Sequence, residues 1–145
     1  MKKTFLAISL LLITISIFTG CSESLTETTI TGDWFCQLGE DGGLLENEYD
    51  FELKSDGSYI FTYIYKALGI LDTKNSGKEY GDWAYDEDSK ELTFSPNSGD
   101  KYSFTIETLT YPKTRLYWTD NDDVLDTSGF DGYSDNVFTF DLYEE

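Results

Sequence analysis

The chain has 145 residues, an aromatic content of 17%, a net charge of -18 and no histidine. That length suits one domain around a single core. The negative field repels phosphate backbones and anionic head groups, which argues against nucleic acid as a partner. The missing histidine removes the usual general base, the commonest metal ligand and any Ser-His-Asp arrangement. The expectation is a protein that is not an enzyme and has no cofactor.

The N-terminus reads first as an address. Met1-Lys2-Lys3 is basic, Phe5 to Phe18 is apolar apart from Ser and Thr, and Phe18-Thr19-Gly20 leads to Cys21. A basic start, an apolar run and small residues before a cut make residues 1–20 a secretory signal peptide. Thr-Gly-Cys resembles a bacterial lipobox, in which Cys21 is lipidated and becomes the new N-terminus. Two or more acyl chains would anchor the protein stably, since each buried CH2 contributes about 0.8 kcal/mol. Polar residues 21–29 then form a short tether. The alternatives are plain cleavage that leaves Cys21 a free thiol, and an uncleaved anchor. The apolar run is short for a spanning helix, which needs about 20 apolar residues. An unacylated Cys21 would be free to pair with Cys36, the other cysteine of the chain.

From residue 30 onward apolar residues alternate with polar ones, and turn residues recur at short intervals. Trp34, Cys36 and Leu38 share one side of a first strand, Ile30 to Leu38. Tyr49, Phe51 and Leu53 alternate with acids and Lys54. Asp56-Gly57 makes a hairpin turn, since such turns need positive φ. Tyr59 to Tyr65 is apolar or aromatic on both faces. Leu68 to Lys78 is looser and is long enough for a helical turn. Tyr80 to Tyr85 follows, with Trp83 and Tyr85 in phase, then Leu92 and Phe94, then Tyr102, Phe104 and Ile106. Leu116 and Trp118 mark another strand after Pro112. Asp120 to Asp135 reads as an acidic loop, and Val137 to Tyr143 ends the pattern. The prediction is all-β: one antiparallel meander of about eight strands, closed into a small barrel over residues 30–145.

Several of these pieces resemble small bacterial lipocalin-like lipoproteins. Gly32-Asp33-Trp34 looks like the Gly-x-Trp that opens the first lipocalin strand. Phe51 to Tyr59, Gly81-Asp82-Trp83-Ala84-Tyr85, Lys90 to Phe94, Tyr102 to Leu109 and Val137 to Phe140 follow in the same order. The resemblance implies a small lipocalin-like barrel with room for an apolar ligand, though no defined ligand for this bacterial branch, and Gly32, Trp34 and an arginine at one barrel end. Lipocalins take that arginine from near the end of the barrel. Arg115, the single arginine here, precedes the last strand. It would stack on an indole if it pointed inward, but it alternates with Leu116 and Trp118 and so is expected to face out.

Two further groups are candidates for chemistry. Tyr59, Phe61, Tyr63, Tyr65, Trp83, Tyr85, Tyr102 and Trp118 are candidate ligand-binding residues, because Tyr and Trp offer a flat apolar face and a polar edge. The competing reading is that they fill the barrel, whose interior at eight strands is just wide enough for side chains or one small ligand. Asp120, Asp122, Asp123 and Asp126 carry enough oxygens for a calcium site, but Val124 and Leu125 interrupt the ligand spacing, which favours a solvated loop. Cys36 lies in phase with Trp34 and Leu38 as a core thiol.

Together these features predict an exported protein, lipid-anchored to the bacterial cell envelope, at the outer membrane if the cell is Gram-negative. It would bind a small apolar ligand or a partner through one barrel end or its aromatic strand. The alternative is an envelope interaction module with a filled core, binding a glycan or an envelope protein or acting as an inhibitor. An acid-dependent hydrolase is the third reading and would need two carboxylates facing each other across a cleft.

Overall fold

In the computed structural model, residues 26–108, 115–128, 130 and 136–143 are described. The signal peptide, Cys21 and most of the tether lie outside them. One short helix, α1 (Glu27–Ile30), precedes nine strands: β1 (Gly32–Gly39), β2 (Leu45–Leu53), β3 (Ser58–Ala67), β4 (Ile70–Leu71), β5 (Gly77–Asp86), β6 (Glu91–Pro96), β7 (Tyr102–Thr108), β8 (Arg115–Asp120) and β9 (Val137–Tyr143).

Every pairing is antiparallel between neighbours in the chain, except where the ring skips β4 and closes. β1 pairs with β2, β2 with β3, β3 with β5, and so on to β8 with β9. β9 returns to β1 through Asp33–Tyr143, Trp34–Leu142 and Phe35–Asp141, which closes the sheet. Eight strands thus form an up-and-down barrel, and β4 is a two-residue addition to the end of β3. Closure removes the free strand edges that an open sheet would leave to self-association.

Period-2 alternation sets the inside. Trp34, Cys36 and Leu38 of β1 are buried, as are Tyr49, Phe51 and Leu53 of β2 and Phe138 and Phe140 of β9. The β2–β3 turn follows from local chemistry. Gly57 takes φ +84, where an L side chain is strained, and Asp56 Oδ1 accepts the amide of Ser58 at 2.9 Å.

Aromatic rings occupy the interior. The Phe51 ring lies 4.1 Å from Phe61 and 5.0 Å from Phe94. Trp118, Phe104 and Phe140 follow at 5.3, 5.7 and 5.8 Å. One ring of β2 therefore touches rings of β3, β6, β7, β8 and β9, and so spans the lumen. Among the described residues, the Trp118 indole N–H is the buried side-chain group with no hydrogen-bond partner, at a cost of about 1–3 kcal/mol.

The two barrel ends differ. At the base, α1 leads into β1, Ile30 is buried, and the Trp34 indole donates to the Ile30 carbonyl at 2.7 Å. At the opposite end, the β8–β9 loop crosses the mouth. Leu125 is buried, and Val124 and Phe130 pack against the core. Asp120, expected in a solvated loop, is 3% exposed: its carboxylate accepts the amides of Leu125 at 2.7 Å and Asp122 at 3.1 Å. Buried carboxylates need such donors, and here the loop backbone supplies them.

Candidate functional site

The candidate ligand-binding residues separate into two sets. Tyr59, Phe61, Trp83, Tyr85, Tyr102 and Trp118 are buried in the core, so they pack the barrel rather than line an open cup. Trp83 is fixed by its indole N–H, which donates to the Lys54 carbonyl at 3.0 Å. Tyr63 and Tyr65 are half-buried and continue the ladder outward from Phe61, at ring spacings of 5.3 and 6.2 Å. Sequence alternation places all eight inward or in phase. It does not separate rings that meet across the lumen from rings that reach the mouth.

Glu79 sits at the mouth. Its Oε1 accepts the hydroxyls of Tyr59 and Tyr102, each at 2.6 Å. Burial holds both phenols above their ordinary tyrosine range, and the Glu79 hydrogen bonds add to it. Burial likewise raises Tyr49 and Tyr65. These phenols stay neutral at physiological pH, and those of Tyr49, Tyr59 and Tyr102 act as hydroxyl donors. A small polar recess of about 210 Å³, lined by Tyr63, Lys78, Glu79, Tyr80, Asn97 and Ser98, opens beside them.

The wall formed by β2 and β3 overhangs this mouth. Asn47 Nδ2 and the Tyr49 hydroxyl both donate to the Asp126 carbonyl, at 2.9 and 2.8 Å, and so tie the β8–β9 loop to β2. Beyond that level the two strands continue, pairing Leu45 with Ala67. β4 then adds Ile70 opposite Ala67 and Leu71 opposite Lys66. The Leu68 amide donates to the Leu44 carbonyl at 3.1 Å and joins the two tip loops. The result is an aliphatic tip. Leu44 is 75% exposed, Leu68 69% and Ile70 71%, with Leu71 and Leu45 also exposed. Beside it lies a groove of about 270 Å³ lined by Gly39, Glu40, Gly43, Leu44, Leu45 and Phe130. The sequence carried a signal for this tip, two clusters of Leu and Ile flanked by glycine at 42–45 and 68–71, but no periodicity to assign it.

A buried carboxylate braces the tip. Glu46 is 1% exposed. It accepts from Lys66 Nζ at 2.9 Å, from Gln37 Nε2 at 3.2 Å and from the Gly42 amide at 3.1 Å. Lys66 also meets Glu48 at 2.5 Å. The hydrogen bond from Lys66 holds the Glu46 carboxyl below the usual carboxylate range. The same pair of acids raises Lys66 above the ordinary lysine value. Because Glu46 is depressed in the folded state, its stabilisation is present above an unfolded pKa of about 4.3 and is lost as pH falls through the lower folded value. Asp56, Asp72 and Asp86, which accept hydrogen bonds in turns, act in the same direction. Burial raises Asp50, which opposes them. Glu46→Gln is expected to flatten the acid side of the stability–pH curve below about pH 5, measured by urea midpoints from neutral to acid pH. An acid limb as steep as that of the wild type would mean that Glu46 is not a source of it.

The remaining candidates are placed as follows. Gly32 begins β1 at φ +140, and a Cβ there would lie 2.6 Å from Leu142 Cδ1, so glycine lets the closing strand pack over the base. Trp34 is fully buried beside it. Arg115 is exposed on the outer face of β8 and pairs with Asp141 of β9, Nε to Oδ1 at 2.5 Å. It does not act as a lid over Trp34. Asp122 accepts the Ser103 amide at 2.7 Å, Asp123 the Asn136 side chain at 2.5 Å, and Asp126 Oδ1 the Ser128 amide at 2.8 Å. With Asp120, these carboxylates serve separate protein donors. Among the described residues no three acidic, His or Cys groups gather as metal ligands. Cys36 is a buried free thiol pushed up to about 12 by desolvation and then by Asp141, which keeps it protonated.

No family model matches the chain, and no curated protein matches it.

Proposed function

We propose that this chain is an exported bacterial lipoprotein, lipidated at Cys21, in which a lipocalin-like barrel serves as a non-enzymatic interaction module of the cell envelope. The observation that carries the reading is the ring packing around Phe51, which fills the lumen between β2 and the far strands. A small apolar ligand inside the barrel would have to displace those rings. Recognition is therefore assigned to the mouth, where Tyr63, Tyr65 and the aliphatic tip reach solvent. This favours the filled-core module over a hollow carrier.

The anchor suits that arrangement. α1 enters at the base, while the tip lies at the other end of β3. Its ten residues at about 3.3 Å each span on the order of 30 Å. A lipid at Cys21 would hold the base toward the membrane and leave the mouth facing away from it. Cys21→Ser in a bacterial host is the test. Incorporation of a clickable fatty acid should vanish, and the protein should move from the membrane to the soluble fraction. Retention of the variant on membranes after signal cleavage would overturn the lipoprotein reading.

A further inference from the structure

At the end of the β2–β3–β4 sheet, Leu45 and Ile70 share one face, both registered against Ala67, with Leu44 and Leu68 exposed on the adjoining turns; Leu71, opposite Lys66, lies on the other face. A folded domain seldom leaves aliphatic side chains that exposed in one place unless something covers them. The charges around the tip bear on what that is. Glu40, Asp41 and Asp72 stand beside it, and Lys66 is taken up by Glu46 and Glu48. Lys74, next to Asp72, is the other cation on the tip. The rim is net acidic on a chain of net charge -18. A second copy would bring the same acids against it, and anionic lipid would be repelled. Complementarity requires an apolar face framed by Lys or Arg.

We infer that the tip is a docking surface for a cationic amphipathic peptide segment of a partner protein. Its aliphatic face would cover Leu68, Ile70 and Leu44, and its basic flanks would meet the acidic rim. This rests on the reading of the barrel as an interaction module, and it names the partner class for the mouth end. The rim charges steer encounter and set salt dependence, while the aliphatic contacts set residence.

The test uses the mature chain and a Leu/Lys peptide patterned as an amphipathic helix of about 18 residues, five turns, followed by fluorescence anisotropy. A scrambled peptide of the same composition and charge is the control. Saturable binding of the patterned peptide, weakened at least about tenfold by Leu68→Ser with Ile70→Ser, is the expected result. Leu44→Ser, on the neighbouring loop, should weaken it in the same sense. Both variants should keep the wild-type thermal midpoint, because the residues are exposed. Equal binding of the scrambled peptide, or no loss in either variant, would reduce the interaction to diffuse charge attraction and overturn the proposal. Tip-dependent binding to neutral phosphatidylcholine vesicles without peptide binding, or tip-dependent dimerisation in sedimentation, would overturn it in favour of lipid or self-association. These readouts come from the purified domain, so their failure is separate from a failure of lipid labelling at Cys21.

Discussion

Phe51→Ala will destabilise the domain by about 3–5 kcal/mol, read as a drop in the urea midpoint at unchanged slope. The ring is fully buried and stacks on Phe61 at 4.1 Å with an interplanar angle of 5°. It also contacts Phe94, Trp118, Phe104 and Phe140. Rings attached to different strands of a closed barrel cannot all move in to fill the space, so the cavity persists, and its cost adds to the lost transfer energy. Phe35→Ala is the control. Phe35 lies on the outer face of β1, half-buried, against Tyr143 at 5.9 Å. Its loss should cost clearly less. Equal costs at the two positions would mean that the lumen is loosely filled and would return the hollow-carrier reading to consideration. A hydrophobic dye that binds the Phe51 variant and not the wild type would show the cavity directly.

The strands were legible where one face is apolar and the other is not. Tyr49, Phe51 and Leu53 alternate with Asp50, Glu52 and Lys54, so β2 was recognised from Tyr49 onward. Its first four residues, Leu45-Glu46-Asn47-Glu48, stay unassigned from sequence, because they carry no apolar alternation. In the fold, Glu46 is buried beneath the β1–β2 loop and shares Lys66 with Glu48, a pairing twenty residues away that no local pattern reveals. The segment Leu68 to Lys78 forms no helix: Ile70 and Leu71 pair with the end of β3 as β4, and β5 begins at Gly77 rather than Tyr80, because Gly77, Lys78 and Glu79 find partners on β3. Ile30, read as the start of the first strand, is instead the last residue of α1. The acidic loop hid its own anchor. Asp120 and Leu125 look like solvated-loop residues, yet both are buried because β8 delivers them to the mouth. Inward phase identified the core aromatics correctly as a set. Only cross-barrel distances show that Phe51 reaches the opposite strands, and that is a three-dimensional fact.

Trp34→Ala will cost about 3–5 kcal/mol, and Trp34→Phe a smaller, separable amount. Trp34 is fully buried, packs against Trp118 at a centroid distance of 6.2 Å, and donates its indole N–H to the Ile30 carbonyl at 2.7 Å. Alanine removes the ring and the donor together. Phenylalanine keeps most of the ring and leaves the carbonyl of a buried residue unpaired, a penalty of about 1–3 kcal/mol. The two terms act on different parts of the molecule. Ring loss weakens the whole barrel, whereas donor loss frees α1 from the base. Hydrogen exchange at the Ile30 amide should therefore quicken in Trp34→Phe while amides of β6 and β7 keep their protection. If β6 and β7 loosen as much as Ile30, the indole bond is not a local latch, and the base is held by packing alone. If Ile30 exchanges as slowly as in the wild type, the bond contributes nothing to closure. A latched base bears on the mouth as well. With α1 and Trp34 at one end and rings filling the middle, the tip and the Tyr63–Tyr65 ladder are the apolar groups that reach solvent at the mouth among the described residues.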